Sequence, residues 1–157
     1  LMRGAHGNAG EVGHIPVPSA SDPVPLESRV SRLAARRHLA AAGITAESMA
    51  DFARHFDARL PALLDWLDQT AAPLSLAVQT IENLFDPQAV VLGGALPPAL
   101  LTRMSDGVEL ATASVSARPD RRGPRLLCGA TGPMTAAVGA AALIINQTFT
   151  PQTAAPH

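Results

Sequence analysis

The stretch Gly7-Asn8-Ala9-Gly10-Glu11-Val12-Gly13-His14-Ile15-Pro16-Val17 constrains the fold more than any other part of the chain. Three glycines, one carboxylate and one imidazole fall within eight residues, and a short apolar segment that reads as a strand follows. Glycines spaced in this way let the backbone take positive φ and pass close to a ligand, which ordinary residues do only with strain. The spacing predicts a tight turn carrying Glu11 and His14. A carboxylate accepts two hydroxyl protons, while an imidazole donates from one nitrogen and accepts at the other. That pairing suits a polyhydroxylated ligand. The same residues also suit a glycine-rich loop with a capping acid and a structural histidine.

Beyond Val17, the interval Pro18 to Pro25 holds three prolines in eight residues and predicts a loop. Leu26-Glu27-Ser28-Arg29-Val30-Ser31 follows, with Glu27 in the first turn of a helix starting near Pro25, where an acid is favoured by the helix dipole alone. The Ala- and Arg-rich run from Ser28 to Ala42 predicts one helix stopped by Gly43. Thr45 is the candidate cap of the next helix, with Met49, Phe52, Ala53 and Phe56 on one apolar face. Two short helices about a glycine turn also admit a helix-turn-helix, against the ordinary reading of a solvated arginine face.

Leu60 to Ala71 and Leu74 to Phe85 read as helices parted by Pro73, the second with a broad apolar face of Leu74, Ala77, Val78, Ile81, Leu84 and Phe85. A β-branched run then ends in Gly93-Gly94 and leads to a helix candidate over Pro97 to Met104, a strand-turn-helix unit. Paired glycines at the carboxyl end of a strand let a flat ligand or a phosphate approach the backbone, and the helix N-terminus behind them favours an anion. Val108 to Ser116 is a further strand candidate. Arg118 to Arg125 carries four arginines in eight residues and reads as a solvated surface loop. Arg125 to Gly129 predicts a short buried strand with Cys128 as a small core residue, and Thr135 to Thr148 the last helix.

Three stretches resemble motifs of the ROK family, which contains glucokinase-like sugar kinases and sugar-responsive transcriptional repressors. Gly4 to His14 is similar to its G-x-x-G-x-A-G-E-x-G-H signature, Leu26 to Ser31 to L-E-x-x-x-S, and Asp86 to Gly94 to D-P-x-x-I-V-L-G-G. Gly129 to Ala142 also resembles the family's terminal glycine turn and G-A-A helix. The resemblance implies an α/β fold: the C-terminal lobe of an actin/hexokinase-like (ribonuclease H-like) architecture, a mixed sheet with packed helices. That lobe would occupy residues 1–148, with a disordered tail over 149–157 and an N-terminal lobe missing upstream. It implies sugar contacts from Glu11, His14 and Glu27 on a turn opened by Gly10, and a nucleotide against Gly93 and Gly94. The sugar would be a hexose or an amino sugar.

The family's phosphate-binding D-x-G-x-T loop and its catalytic Asp both lie upstream of the resembling stretch, and no substitute for either occurs here, so no catalytic residue is assigned. ATP and Mg2+ are expected only if the intact protein is a kinase. The family interval after the signature usually carries a C-x-C-G-x-x-G-C cluster that binds zinc with the signature His; here that interval has no cysteine, and zinc is not expected. A kinase, the sugar-sensing half of a repressor that reaches DNA only through an upstream domain, and an inactive remnant all stay open. A homodimer is the expected assembly.

Length and composition narrow the rest. At 157 residues the chain can bury one core, and with one Trp, four Phe and no Tyr that core must be built from Leu, Val and Ala. All basic residues are Arg, and the net charge of −1 builds no field to draw nucleic acid or an anionic membrane. The single cysteine excludes an intramolecular disulfide. No apolar run approaches the roughly 18 residues of a membrane span, and a cytoplasmic location is expected.

Overall fold

The computed structural model describes residues 4–132 and 134–149. Its first ordered feature is the glycine turn, where Gly4, Gly7 and Gly10 all adopt positive φ and a 3-10 turn over Val12–His14 follows. β1 (Pro16–Val17) pairs antiparallel with β2 (Val24–Pro25), in register Pro16↔Pro25 and Val17↔Val24. α1 (Glu27–Val30) and α2 (Arg32–Ala41) come next. The single helix expected over Ser28 to Ala42 is thus divided. Ser31 is extended at ψ 160° and its hydroxyl accepts the Ala34 amide, so it acts as an N-cap within the run.

α3 (Met49–Asp57) is capped by Ser48 rather than by Thr45. Ser48 and Asp51 form a reciprocal capping box, which satisfies two amides where Thr45 would satisfy one. The Ser48 amide and hydroxyl, then Arg54, hold the Asp51 carboxyl well below the usual carboxylate range. The Thr45 carbonyl instead meets His55 Nε2 at 2.9 Å.

α4 (Pro61–Gln69) and α5 (Ala71–Phe85) break at Thr70, and Pro73 lies in the first turn of α5, where its missing amide costs nothing. The main core gathers Leu39, Phe52, Leu63, Trp66, Leu67, Leu100 and Met104, drawn from α2, α3, α4 and α6 (Pro98–Asp106). A second, smaller cluster joins Val17 and Leu26 to Ala77 of α5.

β3 (Val90–Gly94) pairs parallel with β4 (Leu126–Thr131), in register Val91↔Leu127 and Leu92↔Cys128. α6 packs on both strands, and Leu92 reaches the main core. The opposite face is open, with Val91 and Leu127 exposed. Cys128 is exposed as well, against its expected burial, with its thiol 3.5 Å from the Leu101 carbonyl. α7 (Thr135–Phe149) follows β4 and leaves Val138, Leu143, Ile144, Ile145 and Phe149 exposed. Apart from Phe149, the tail expected over 149–157 lies outside the described residues, as do residues 1–3.

The strand expected over Val108 to Ser116 is absent: the segment runs as turns along α5. Its Glu109 amide donates to Ser75 Oγ and its Val115 amide to Asn83 Oδ1. Ser114 Oγ donates to Glu82 Oε2 at 2.5 Å, and Arg125 closes on the same carboxylate with Nε and Nη2 at 2.7 and 2.6 Å. Glu82 is 1% exposed, so this fork is a buried, bidentate ion pair. The arginine loop is exposed as expected, from Arg118 to Asp120 and from Arg122 to Pro124, and is anchored by side-chain bonds. Arg118 also pairs with Asp86, and Arg121 donates to the Gln88 carbonyl.

Hydrogen bonds from Arg125 hold the Glu82 carboxyl below its ordinary value, burial opposing and Ser114 assisting. Because the folded pKa is the lower one, the pair's stabilisation is present above the unfolded carboxylate pKa of about 4.3 and disappears as pH falls through the folded value. Glu82→Gln should cost about 3 kcal/mol near neutral pH by leaving Arg125 unpaired. In urea denaturation followed against pH, the gap between wild type and Glu82→Gln should shrink in acid; a gap constant with pH would show that the pair does not titrate as described.

Candidate functional site

Glu11 and His14 face outward because Val12 and Ile15 face inward. In the 3-10 turn the amides of His14 and Ile15 bond the carbonyls of Glu11 and Val12 at 3.1 Å, which fixes the alternation. Val12 and Ile15 pack on the Val17–Leu26–Ala77 cluster. The Glu11 and His14 side chains stay 65% and 67% exposed, with His14 Nδ1 3.6 Å from Glu11 Oε2. Glu11 occupies the N-cap position of the turn, yet its side chain makes no capping bond. The carboxylate is therefore not consumed as a cap, which was the alternative use open to it.

Glu27 arrives at the same place from α1. A Cβ placed on Gly13 would lie 3.5 Å from both Cβ and Oε2 of Glu27, so the carboxylate rests against the glycine between Val12 and His14. The Leu26 amide donates to the Ile15 carbonyl at 2.9 Å and locks the base of α1 onto the end of the turn. The structure thus places Glu27 against the turn that carries Glu11 and His14. Gly10, at φ +89° with open space where a Cβ would stand, sets the turn and leaves its backbone approachable.

Gly93 and Gly94 lie elsewhere, at the carboxyl end of β3. Gly94 has φ +148° and open space on its Cβ side, and the pairing of β3 with β4 becomes irregular between Leu92 and Gly94. Gly132, at φ +143°, stands just beyond the end of β4. α6 and α7 begin next after these strands, so two helix N-termini follow two parallel strand ends. Glycine strand ends of this kind let a flat ring or a phosphate approach bare backbone. The two places share α5, whose Ala77 supports the glycine turn and whose end leads into β3.

The donor set around His14 does not fit the zinc cluster of the resembling family. The interval from Ile15 to Leu26 contributes no cysteine, and Cys128 sits on β4. Among the described residues no group of three or more His, Cys, Asp and Glu is placed to hold a metal ion. The glycine-lined strand ends do fit the approach of a nucleotide.

Two features escaped the sequence reading. Arg29 Nη2 donates to Ser19 Oγ across the proline-rich loop at 2.9 Å, and the Trp66 indole donates to the Arg29 carbonyl at 3.0 Å. Neither contact leaves a periodicity or spacing signal. Glu82 did leave one, since a carboxylate stands four residues after Val78 and eight after Leu74 on a buried stripe.

The helices and the parallel pair β3–β4 form an α/β lobe of hexokinase-like fold. The chain belongs to the ROK family, whose sequence model matches residues 1–147. Its structure is similar to that of a ROK hexokinase from Thermus thermophilus, with 22% identity and a TM-score of 0.61 over 93% of this chain and 51% of that one. The chain accordingly spans about half the length of that hexokinase. No match was found among curated proteins.

Close packing beneath the glycine pair gives a direct check on the geometry. A Cβ on Gly129 would fall 2.8 Å from Val91 Cγ1. Gly129→Ala should cost about 1 kcal/mol by driving the stiff Val91 side chain from its rotamer. The cost should largely vanish in a Val91→Ala background, and a double-mutant cycle of unfolding free energies measures that coupling.

Proposed function

We propose that this chain recognises a sugar, a hexose or an amino sugar, through Glu11, His14 and Glu27 on the turn opened by Gly10. The observation that carries the reading is the approach of Glu27 to Gly13, which adds a second carboxylate to the exposed Glu11 and His14 pair. Two carboxylates accept several hydroxyl protons at fixed angles, and the imidazole supplies either a donor or an acceptor. Such a set grips a ring of hydroxyls and rejects an analogue lacking one, because a charged acceptor is then left unpaired.

Within the intact protein this lobe works with the upstream lobe as an ATP-dependent sugar kinase. The upstream lobe contributes the phosphate-binding loop and the Asp that takes the proton from the attacking hydroxyl. Gly93 and Gly94 would hold a nucleotide, and ATP with Mg2+ would supply the transferable phosphoryl group there. The open glycine-lined strand ends support this reading. A sugar-sensing effector domain of a ROK repressor is the second reading, favoured by the departure of the His14 donor set from the family's zinc cluster. A homodimer in the cytoplasm goes with either reading, and DNA reached only through a separate upstream domain belongs to the second. Among the described residues no helix is long and apolar enough to cross a membrane.

In the full-length protein, Glu11→Ala should weaken hexose binding about 10- to 100-fold, the equivalent of one charged hydrogen bond of about 1.5–3 kcal/mol. Isothermal calorimetry with glucose and glucosamine measures it, and unchanged affinity removes Glu11 from the site. Sugar-dependent conversion of ATP to ADP separates the two readings: turnover supports the kinase, and sugar binding without turnover supports the sensor.

A further inference from the structure

We infer that Arg29 is the positioning residue of the sugar turn, bracing it by hydrogen bonds in a manner that requires no metal. The inference rests on the proposed sugar site and adds what holds that site in place. The hairpin behind the turn is poorly equipped to hold itself. Its two registered pairs include Pro16 facing Pro25, and the connection between the strands begins at Pro18 and ends at Pro23. Four prolines remove four backbone donors from a segment this short, so a backbone ladder cannot fix the connection. Val17 and Leu26 anchor its ends in the small core, and the chain between them needs another tie.

Arg29 supplies that tie. Its Nη2 donates to Ser19 Oγ at 2.9 Å, a part-buried bond that reaches ten residues back along the chain. The residue is itself held at both backbone groups. Its amide donates to the Leu26 carbonyl at 2.9 Å, and its carbonyl accepts the indole N–H of Trp66 at 3.0 Å. Trp66 is 3% exposed and belongs to the main core. A continuous path of hydrogen bonds therefore runs from the core, through α1, into the loop.

α1 is one turn long, and it carries Glu27 two residues before Arg29. The same turn of helix that clasps Ser19 on one side lays the Glu27 carboxylate against Gly13 on the other. A short helix with few internal bonds has little rigidity of its own. Its orientation, and with it the position of Glu27 relative to Glu11 and His14, depends on the indole and guanidinium contacts. The donor set near His14 holds no cysteine, so hydrogen bonds do here what metal ligands would otherwise do.

The test uses the full-length protein as wild type, Ser19→Ala, Arg29→Ala and Arg29→Lys. Amide hydrogen exchange over residues 19–27 and calorimetric affinity for glucose and glucosamine are read, each with and without a zinc chelator. Ser19→Ala and Arg29→Ala should each raise exchange in this segment and weaken sugar binding about tenfold, the scale of one such bond. Exchange in α4 should stay unchanged. Arg29→Lys, which keeps a donor on a long stem, should restore part of both. The chelator should leave wild type as it was, and added zinc should not rescue Arg29→Ala.

Wild-type exchange and affinity retained in Ser19→Ala would overturn the inference, and this variant leaves the backbone contacts of Arg29 intact, so general unfolding does not confuse the result. Loosening of the wild-type loop by the chelator would overturn it as well. If wild type binds neither sugar while Ser19→Ala still loosens the loop, the clasp stands and the sugar reading falls.

Discussion

The Glu82–Arg125 fork holds together parts of the chain that share no secondary structure. Glu82 lies near the end of α5, Ser114 in the irregular segment laid along that helix, and Arg125 at the start of β4. β3 and β4 pair in parallel, so a connection must carry the chain from the end of one strand back to the start of the other. α6 forms the first part of that return. The second part, from Val108 to Pro124, has no regular structure and must be held by side chains. A buried carboxylate is expensive unless every lone pair is used, and this one takes a bidentate guanidinium and a hydroxyl. Arg125 also reaches the Ala111 carbonyl at 3.0 Å, and the whole return is thereby drawn to one charge.

This fork explains why the 108–116 segment is not a strand. Its β-branched Val108, Thr112 and Val115 suggest one. In the structure Val108 packs on the main core, Ser114 and Ser116 are buried, and Val115 is half exposed. A hydroxyl pointing at Glu82 contributes more than a buried isopropyl group, because it completes the solvation of the carboxylate. The interaction that decides its conformation is thus made with a residue 32 positions earlier, beyond the reach of a local pattern.

What was legible in the sequence is what the backbone demands locally. Gly7 and Gly10 need positive φ, and the chain turns where they stand. Val90 to Gly94 is β-branched and then bare, and it forms a strand that ends in an open turn. The α2 boundary was not legible, since nothing in an Ala- and Arg-rich run marks Ser31 as a cap until the tertiary fold turns α1 toward Trp66. Leu84 and Phe85 continue the apolar pattern of α5 but are exposed, because the stripe that packs runs through Leu74, Val78 and Glu82. At the candidate site, Glu11 and His14 follow from the turn alone. The place of Glu27 depends on the angle at which α1 leaves the hairpin, and Ser19 and Trp66, which bond Arg29 of that helix, set the angle.

The two halves of the site consequently stand on different physical footings. The turn of the proposed sugar site is supported from beneath by Val12, Ile15, Val17 and Leu26, and from the side by α1, with every support drawn from this chain. The strands that end at the glycine pair are backed by α6, with α5 also meeting β3, while Val91 and Leu127 are apolar and exposed. Parallel strands are stable in most proteins when both faces are covered. α7, which follows β4, presents Val138, Ile144 and Phe149 outward as well. The proposed sugar contacts therefore rest on supports within this lobe, whereas the proposed nucleotide contact at Gly93 and Gly94 depends on whatever covers the open face. Under the proposed function, binding a sugar and reacting with it are separable: the first needs only the turn, and the second needs the cover.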